Sequence, residues 1–146
     1  MWYEYILDTA QLIKSEMPEK KIVLVTNGYI NPEPLKKLLP YIDAMNIDFK
    51  GDNEFYKSIC SGKMKEVMDS IRLADEMGVH VEESTLIVGE RNSDEKTLTE
   101  IGEFIKSVNP DITLHISRYF PCYRMSDPTT DIETMKKTYH TLKKML

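Results

Sequence analysis

The sequence predicts an α/β fold, in which about four parallel strands and their flanking helices form part of a (βα) barrel. Helical and strand-like segments alternate along the chain, and this alternation is typical of a parallel sheet with right-handed crossovers. Several strand segments also carry polar residues on one face, whereas both faces of a doubly wound sheet are covered by helices and should be apolar. The polar faces therefore favour the lining of a partial barrel or an open cleft.

The first half of the chain predicts two helices and two strands. Apolar residues recur at the helical period in residues 3–17, and a proline follows them as a stop. Residues 21–28, KIVLVTNG, form a β-branched run that closes at Asn-Gly, which suits a strand buried on both faces. A short helix with Asn31 as its N-cap comes next, and residues 44–50, AMNIDFK, predict the second strand.

The second half continues the alternation. Residues 53–78 predict a short helix and then a longer one that ends at a glycine. Residues 80–89, HVEESTLIVG, are rich in strand formers, and Ser93 then caps a helix with an acidic first turn. Residues 112–121 alternate between apolar and polar side chains, as a strand with one buried face does. Residues 131–146 predict a final amphipathic helix.

Length and composition limit the classes of function. The 146 residues, 41% hydrophobic and 29% charged, suffice for one globular domain that spans residues 1–146. The formal net charge of -5 argues against nucleic-acid binding, which needs a clustered basic surface. No apolar run approaches the ~20 residues of a membrane span, and residues 1–11, MWYEYILDTAQ, lack the basic segment before an apolar core that a secretion signal has. Two distant cysteines, Cys60 and Cys122, fit a reducing compartment, so the sequence predicts a cytoplasmic protein.

The stretch NIDFKG places opposite charges inside an apolar strand. Strand alternation puts Asn46, Asp48 and Lys50 on one face and the intervening Met, Ile and Phe on the other. Asp48 and Lys50 would lie ~7 Å apart at the carboxyl end of the strand, where active sites of parallel α/β folds lie. The pair could bind a polar ligand together, form an inward salt bridge, or present Lys50 as the Schiff-base amine of an aldolase-like lyase. The residues alone leave these alternatives open.

Other polar residues fall at strand ends or on strand faces. Thr26, Asn27 and Gly28 form either a simple tight turn or a set of N–H and hydroxyl groups that binds a carboxylate or phosphate. His115 is either a proton carrier or a hydrogen-bonded core histidine. Arg118 is either a carboxylate clamp or part of a surface ion pair. The sequence contains no P-loop, dinucleotide-binding, metalloprotease or nucleophile-elbow motif that would decide among these roles.

Three sequence blocks, in this order, carry a resemblance to a known family. They are TNGY at 26–29, IDFKG at 47–51 and HISRYFP at 115–121, and the similarity continues through nearly the whole chain. The sequence resembles radical S-adenosylmethionine enzymes of the pyruvate formate-lyase activating type, and more narrowly the radical enzyme of the AmmeMemoRadiSam set. Each block alone is weakly specific, but the three together are fairly specific.

The resemblance implies a partial barrel related to the TIM barrel and an oxidoreductase that uses S-adenosylmethionine and a [4Fe-4S] cluster. In that family a CxxxCxxC loop after the first strand holds three irons, S-adenosylmethionine chelates the fourth, and reduction yields a 5′-deoxyadenosyl radical. The sequence contains no such triad, and its first residues resemble the point just after the family's second strand. We therefore expect the C-terminal portion of such an enzyme, inactive as an isolated chain because nothing in it holds a cluster.

The resemblance also assigns residues to the cofactor. It implies that Asp48 and Lys50 contact the methionyl and ribose part of S-adenosylmethionine. The cofactor-binding residues that it implies are Thr26, Asn27, Gly28, Asp48, Lys50, Glu82, His115 and Arg118. Some relatives bind a monovalent cation beside the methionyl carboxylate. Val25 and Asn46 stand where those relatives have Asp and Met, so we assign no metal ligand.

The sequence also predicts partners. Besides the small-molecule cofactor, the resemblance implies a protein or peptide substrate. The strand at 21–27 would have an unpaired edge if preceding strands are missing, and such an edge predicts a homo-oligomer. A different class of function, a stand-alone ligand-binding or scaffold module without catalysis, fits the same residues and remains an alternative.

Overall fold

The computed structural model describes residues 2–146, in which four strands alternate with six α-helices. In chain order the elements are α1 (Tyr3–Glu16), β1 (Val23–Thr26), α2 (Pro32–Leu38), β2 (Ala44–Asp48), α3 (Asn53–Ser58), α4 (Met64–Glu76), β3 (His80–Ile87), α5 (Glu95–Val108), β4 (Thr113–Arg118) and α6 (Ile132–Leu142). Short 3₁₀ turns at Leu39–Tyr41 and Gly89–Arg91 follow α2 and β3. These elements confirm the predicted alternation. None of the helices in residues 2–146 combines the length and apolarity that crossing a bilayer requires.

The four strands form one parallel sheet in the order β1-β2-β3-β4, so each strand lies beside its neighbour in sequence. Right-handed crossovers between strands that advance in one direction carry every connecting helix to the same side of the sheet. The core agrees with this, because Met45 and Ile47 of β2, and Phe49 directly after it, pack with apolar residues of α2, α4 and α5. The sheet is therefore covered by helices on one side, as in part of a (βα) barrel, and the prediction of that fold is confirmed.

The opposite side of the sheet, called the open face below, is exposed or half-buried along its whole length. Its side chains alternate with the core residues and are Val23, Val25, Ala44, Asn46, Asp48, His80, Glu82, Ser84, Leu86, Thr113, His115 and Ser117. Val25 is 74% exposed, so the prediction that β1 is buried on both faces is wrong. Its apolar pattern is that of a covered strand, but only the helix side of β1 is covered by the described residues 2–146.

Three helices begin at aspartates that cap their first turns. The carboxylates of Asp52, Asp94 and Asp131 accept hydrogen bonds from backbone N–H groups of α3, α5 and α6. The prediction of Ser93 as the cap of α5 is wrong by one residue, because Asp94 accepts the first-turn N–H group. Asn31 precedes α2 as predicted, although its side chain accepts no capping hydrogen bond there. Short-range hydrogen bonds from backbone N–H groups to acidic side chains thus fix the starts of three of the six α-helices.

Candidate functional site

The open face brings polar side chains of neighbouring strands side by side near the carboxyl ends of the strands. In the register of the sheet, Asp48 of β2 pairs with Ser84 of β3, and Ser84 pairs with His115 of β4. Nearer the amino ends, Asn46 lies beside Glu82. Acid, amide, hydroxyl and imidazole groups from three strands therefore share one accessible surface.

Asp48 and Lys50 form a direct ion pair on this surface. The Lys50 ammonium donates a hydrogen bond to the Asp48 carboxylate, with 2.7 Å between Nζ and Oδ2. The side chain of Lys50 keeps 34% of its surface exposed and that of Asp48 keeps 40%. The predicted salt-bridge alternative is thus present, but the pair is not sealed in a barrel centre. An ion pair this exposed contributes little to stability and remains accessible to a ligand.

Two further hydrogen-bonded groups extend the polar surface across β2, β3 and β4. The Ser84 hydroxyl donates to Asn46, with 2.9 Å between Oγ and Oδ1. The Glu82 carboxylate lies between two imidazoles, 2.8 Å from His115 Nε2 and 3.3 Å from His80 Nε2. Hydrogen bonds from His115 and then from His80 lower the pKa of Glu82, so this carboxylate is charged at neutral pH. The open face therefore presents a second carboxylate in addition to the ion pair.

The loop after β1 uses its own side chains to satisfy its backbone. Thr26 Oγ1 accepts a hydrogen bond from the Gly28 N–H (3.2 Å), and Asn27 Oδ1 accepts one from the Tyr29 N–H (3.0 Å). Because these N–H groups are engaged, the geometry favours the tight-turn interpretation over an anion-binding loop. Gly28 adopts a φ of 67°, and a Cβ there would lie 2.7 Å from Ile47 Cγ2. The turn therefore requires glycine both for its backbone conformation and for space.

Two of the predicted site residues point away from the open face. Thr26 pairs in register with the buried Ile47, and Arg118 pairs with the buried Ile87, so both side chains lie on the helix side of the sheet. The Arg118 guanidinium donates from Nε to the carbonyl oxygen of Thr130. The structure therefore does not bring Thr26 or Arg118 together with the polar groups of the open face, and the contacts of both residues are those of structural residues.

A pocket of about 410 Å³ opens beside Lys50 at the carboxyl end of the sheet. It is lined by Asn27, Tyr29, Lys50, Tyr56, Cys60, Ser61 and Gly62. This volume lies within the usual range of small-molecule sites. Of the predicted site residues, Asn27 and Lys50 line this pocket, and Asp48 adjoins it through its ion pair with Lys50.

Three buried polar residues behind the open face were not predicted as site residues from the sequence. Tyr56 and Asn92 hydrogen-bond to the backbone where β2 ends, and Glu83 is fully buried with no hydrogen-bond partner among the described residues. Burial, and to a smaller extent the charge of Asp48, raises the pKa of Glu83 to about 9, so this carboxyl is protonated at neutral pH. Strand alternation could have indicated Glu83, because two consecutive glutamates in a strand point to opposite faces.

The cysteines do not form the ligand set that a [4Fe-4S] cluster needs. Cys60 is half-buried in the pocket beside Lys50, and burial raises the pKa of its thiol, an effect that the charge of Lys50 partly offsets. Cys122 is exposed in the loop before α6. Within residues 2–146, no three His, Cys, Asp or Glu side chains lie where they could together hold a metal ion. The residues present therefore do not fit the cluster that the resemblance implies.

Comparison with known proteins identifies the family. A family model of the radical SAM (radical S-adenosylmethionine) superfamily matches residues 1–105. An uncharacterized protein of Methanocaldococcus jannaschii is 38% identical over 138 residues, which make up 93% of this chain and 40% of that relative. The chain therefore spans less than half of the length of this relative.

Comparison with solved structures identifies the fold. The crystal structure of a domain of pyruvate-formate lyase-activating enzyme from Bacteroides vulgatus ATCC 8482 matches with a TM-score of 0.80. The alignment covers 98% of this chain and 86% of that domain, at 17% sequence identity. At this identity the match shows the fold alone, and it agrees with a partial barrel built on a one-sided sheet.

Proposed function

The chain belongs to the radical SAM superfamily, and we propose that its open face forms part of the S-adenosylmethionine-binding wall of a radical enzyme of the pyruvate formate-lyase activating type. Such an enzyme cleaves S-adenosylmethionine reductively to a 5′-deoxyadenosyl radical, with electrons supplied by a [4Fe-4S] cluster. The role of this chain is to bind and orient the ligand. The observation that carries the proposal is the accessible Asp48–Lys50 pair at the carboxyl end of β2. A protein or peptide substrate would approach the same face.

The donor and acceptor groups of the open face fit this ligand. S-adenosylmethionine carries an ammonium, a carboxylate and two ribose hydroxyls, so it needs partners of both charges within a small area. Asp48 supplies an acceptor for ammonium or hydroxyl groups, and Lys50 supplies a donor for a carboxylate. The amide of Asn27 adds a neutral polar group in the pocket beside Lys50. Glu82 and His115, which bond to each other, would extend this surface toward β4.

We propose that the cluster ligands and the first strands of the barrel belong to a part of the parent protein that this chain does not cover. Two observations support this: the chain covers 40% of its Methanocaldococcus jannaschii relative, and its cysteines do not fit a cluster. The isolated chain is therefore expected to bind S-adenosylmethionine without cleaving it. Reconstitution with iron and sulfide, followed by electron paramagnetic resonance, tests this expectation. A [4Fe-4S] signal from the isolated chain would contradict it.

Isothermal titration calorimetry with S-adenosylmethionine tests the binding surface. We expect Lys50→Met and Asp48→Asn each to weaken binding about tenfold or more, because each removes a charge-assisted hydrogen bond. Lys106→Met, which removes an exposed lysine in the last turn of α5, is the matched control and should leave the affinity unchanged. The proposal fails if all four proteins bind equally, or if the unsubstituted chain shows no binding.

We further propose that the free edge of β1 pairs with a second copy of the chain. Among residues 2–146, β1 pairs with β2 alone, so the outer edge of Val23–Thr26 has no strand partner. An apolar cavity of about 140 Å³ adjoins this edge, lined in part by Leu24, Val25 and Met45. Unpaired hydrophobic edges recruit other strands, so self-association follows from this geometry.

A further inference from the structure

Lys50 lies just beyond the last residue of β2, where the backbone ladder of the sheet has ended. The last ladder bond runs from the Phe49 N–H to the Ser84 carbonyl (2.9 Å). The Lys50 N–H donates to the phenol oxygen of Tyr56 (3.1 Å), and the Lys50 carbonyl accepts from Asn92 Nδ2 (2.8 Å). Both backbone groups of Lys50 are therefore held by side chains and not by a neighbouring strand.

The two side chains that hold Lys50 are buried and fully engaged. The Tyr56 hydroxyl also donates to the Asp48 carbonyl (3.2 Å), and burial raises the pKa of this phenol, so it keeps the proton that it donates. Asn92 Nδ2 also donates to the Leu86 carbonyl (2.8 Å), and Asn92 Oδ1 accepts from the Val88 N–H (2.7 Å). Because its carbonyl side faces a donor and its NH₂ side faces two acceptors, a flipped amide would lose every bond.

From these contacts we propose that Tyr56 and Asn92 are positioning residues, which fix the backbone of Lys50 and so hold its ammonium against Asp48 on the open face. Fixing a residue outside the ladder costs conformational entropy, and the side-chain hydrogen bonds offset that cost. The Tyr56 hydroxyl and the Asn92 amide both form their hydrogen bonds with backbone groups, so each residue acts through Lys50. The link to S-adenosylmethionine rests on the proposed function, in which Lys50 contacts the ligand.

A second buried hydroxyl offers a matched control. Thr130 Oγ1 donates to the Ile87 carbonyl (2.6 Å) and accepts from the Gly89 N–H (3.1 Å). Like the Tyr56 hydroxyl, it joins one backbone donor and one backbone acceptor, but at the end of β3, which does not carry the ion pair. Tyr56→Phe and Thr130→Val each delete one hydroxyl with little change of shape. Both should lower stability similarly, whereas only Tyr56→Phe should disturb Lys50.

The first test does not depend on any ligand. Carbon-13 NMR of the reductively methylated chain reports each lysine amine, and Lys50→Arg identifies the Lys50 resonance. We expect Tyr56→Phe to shift this resonance and Thr130→Val to leave it in place. Asn92→Asp, which keeps the acceptor but loses both donors, should shift it as well. An unmoved Lys50 resonance in folded Tyr56→Phe would overturn the proposal, even if Asn92→Asp does not fold.

The second test measures the affinity for S-adenosylmethionine by calorimetry. Tyr56→Phe should weaken binding about tenfold, and Thr130→Val by less than about twofold, although their melting temperatures fall alike. Equal losses of affinity in the two variants would overturn the proposal, because stability alone would then explain both. If the unsubstituted chain binds no S-adenosylmethionine, the proposed function fails, and the Lys50 resonance still decides whether Tyr56 and Asn92 position this residue.

Discussion

Two consecutive glutamates of β3 have opposite environments. Glu82 lies on the open face, where hydrogen bonds from His115 and His80 lower its pKa. Glu83 lies on the helix side, fully buried and without a hydrogen-bond partner in the described structure, and its pKa rises to about 9. This difference in environment indicates that the two faces of the sheet have separate roles: the helix side stabilises the fold, and the open face presents charged groups. Substitutions on the two faces should therefore have different effects.

The largest loss of stability is expected on the helix side at Phe49. Its side chain is 0% exposed, and its ring centroid lies 5.1 Å from that of Phe104. Phe49→Ala should cost roughly 3–5 kcal/mol of unfolding free energy, because it leaves a cavity in a packed core. Asn46→Ala, on the open face of β2, should cost about 1 kcal/mol or less. Urea denaturation measures both, and equal losses would break the contrast between the faces.

The second effect is a pH dependence that originates at Glu83. Its folded-state pKa of about 9 lies above the ordinary glutamate value of 4.5. The unfolding free energy is therefore highest below the pKa that Glu83 has in the unfolded chain. It falls as the pH rises from there toward the pKa that Glu83 has in the folded state. Between pH 5 and pH 7 this group should lower the unfolding free energy by about 2–3 kcal/mol. Glu83→Gln should remove that decline, as urea denaturation across this pH range would show.

The neighbouring glutamate supplies the control for this pH dependence. The pKa of Glu82 is lowered, so its contribution to stability is present above its unfolded pKa and is lost as the pH falls. Glu82→Gln should therefore change the acid side of the profile, and only slightly, because the side chain is accessible to solvent. If the unfolding free energy of Glu83→Gln depends on pH in the same way as that of the unsubstituted chain, Glu83 does not cause the decline. The contrast between Glu82 and Glu83 then fails.

The sequence was sufficient to predict most of the fold, because the relevant signals are local. Helical periodicity, strand alternation and stop residues predicted each of the six α-helices and four strands, and the polar faces predicted the lining of a partial barrel or an open cleft. The burial of β1 could not be predicted in this way. Val23 and Val25 are residues typical of a strand whose two faces are both buried. The residue pattern does not tell whether the segment that buries the open face belongs to the same chain. Likewise, Ser93 and Asp94 are both good caps, so only the backbone geometry selects one.

In the candidate site, only the residues whose orientation follows from strand alternation could be predicted from the sequence. The period of two correctly placed Asp48 on the open face, and the same rule could have identified the buried Glu83. It should also have separated Arg118 from His115, which lie an odd number of positions apart. Asn92 had no such signal, because it contacts Lys50 across 42 residues of sequence from a loop. No local pattern relates a loop amide to the end of a distant strand.

A smaller effect is expected where the loop after β1 meets the helix side. Gly28 and Gly89 both have positive φ, 67° and 44°, so alanine is strained at either position. A Cβ at Gly28 would lie 2.7 Å from Ile47 Cγ2, whereas nothing lies within 4 Å of one at Gly89. Gly28→Ala should therefore cost about 2–3 kcal/mol and Gly89→Ala about 1 kcal/mol. Similar costs in thermal or urea unfolding would show that the loop repacks away from the core.

The smallest effect on stability is expected at Val25, which tests whether the open face is open in solution. Its side chain is 74% exposed, so Val25→Lys should change the unfolding free energy by no more than about 0.5 kcal/mol. A lysine on an edge strand hinders pairing with another strand, so light scattering should show a dimer or larger assembly for the unsubstituted chain and a shift toward monomer for Val25→Lys. A monomer in both cases would contradict the proposed association. If Val25→Lys unfolds the chain instead, another surface covers the open face in solution, and the two faces no longer differ in the way that Glu82 and Glu83 indicate.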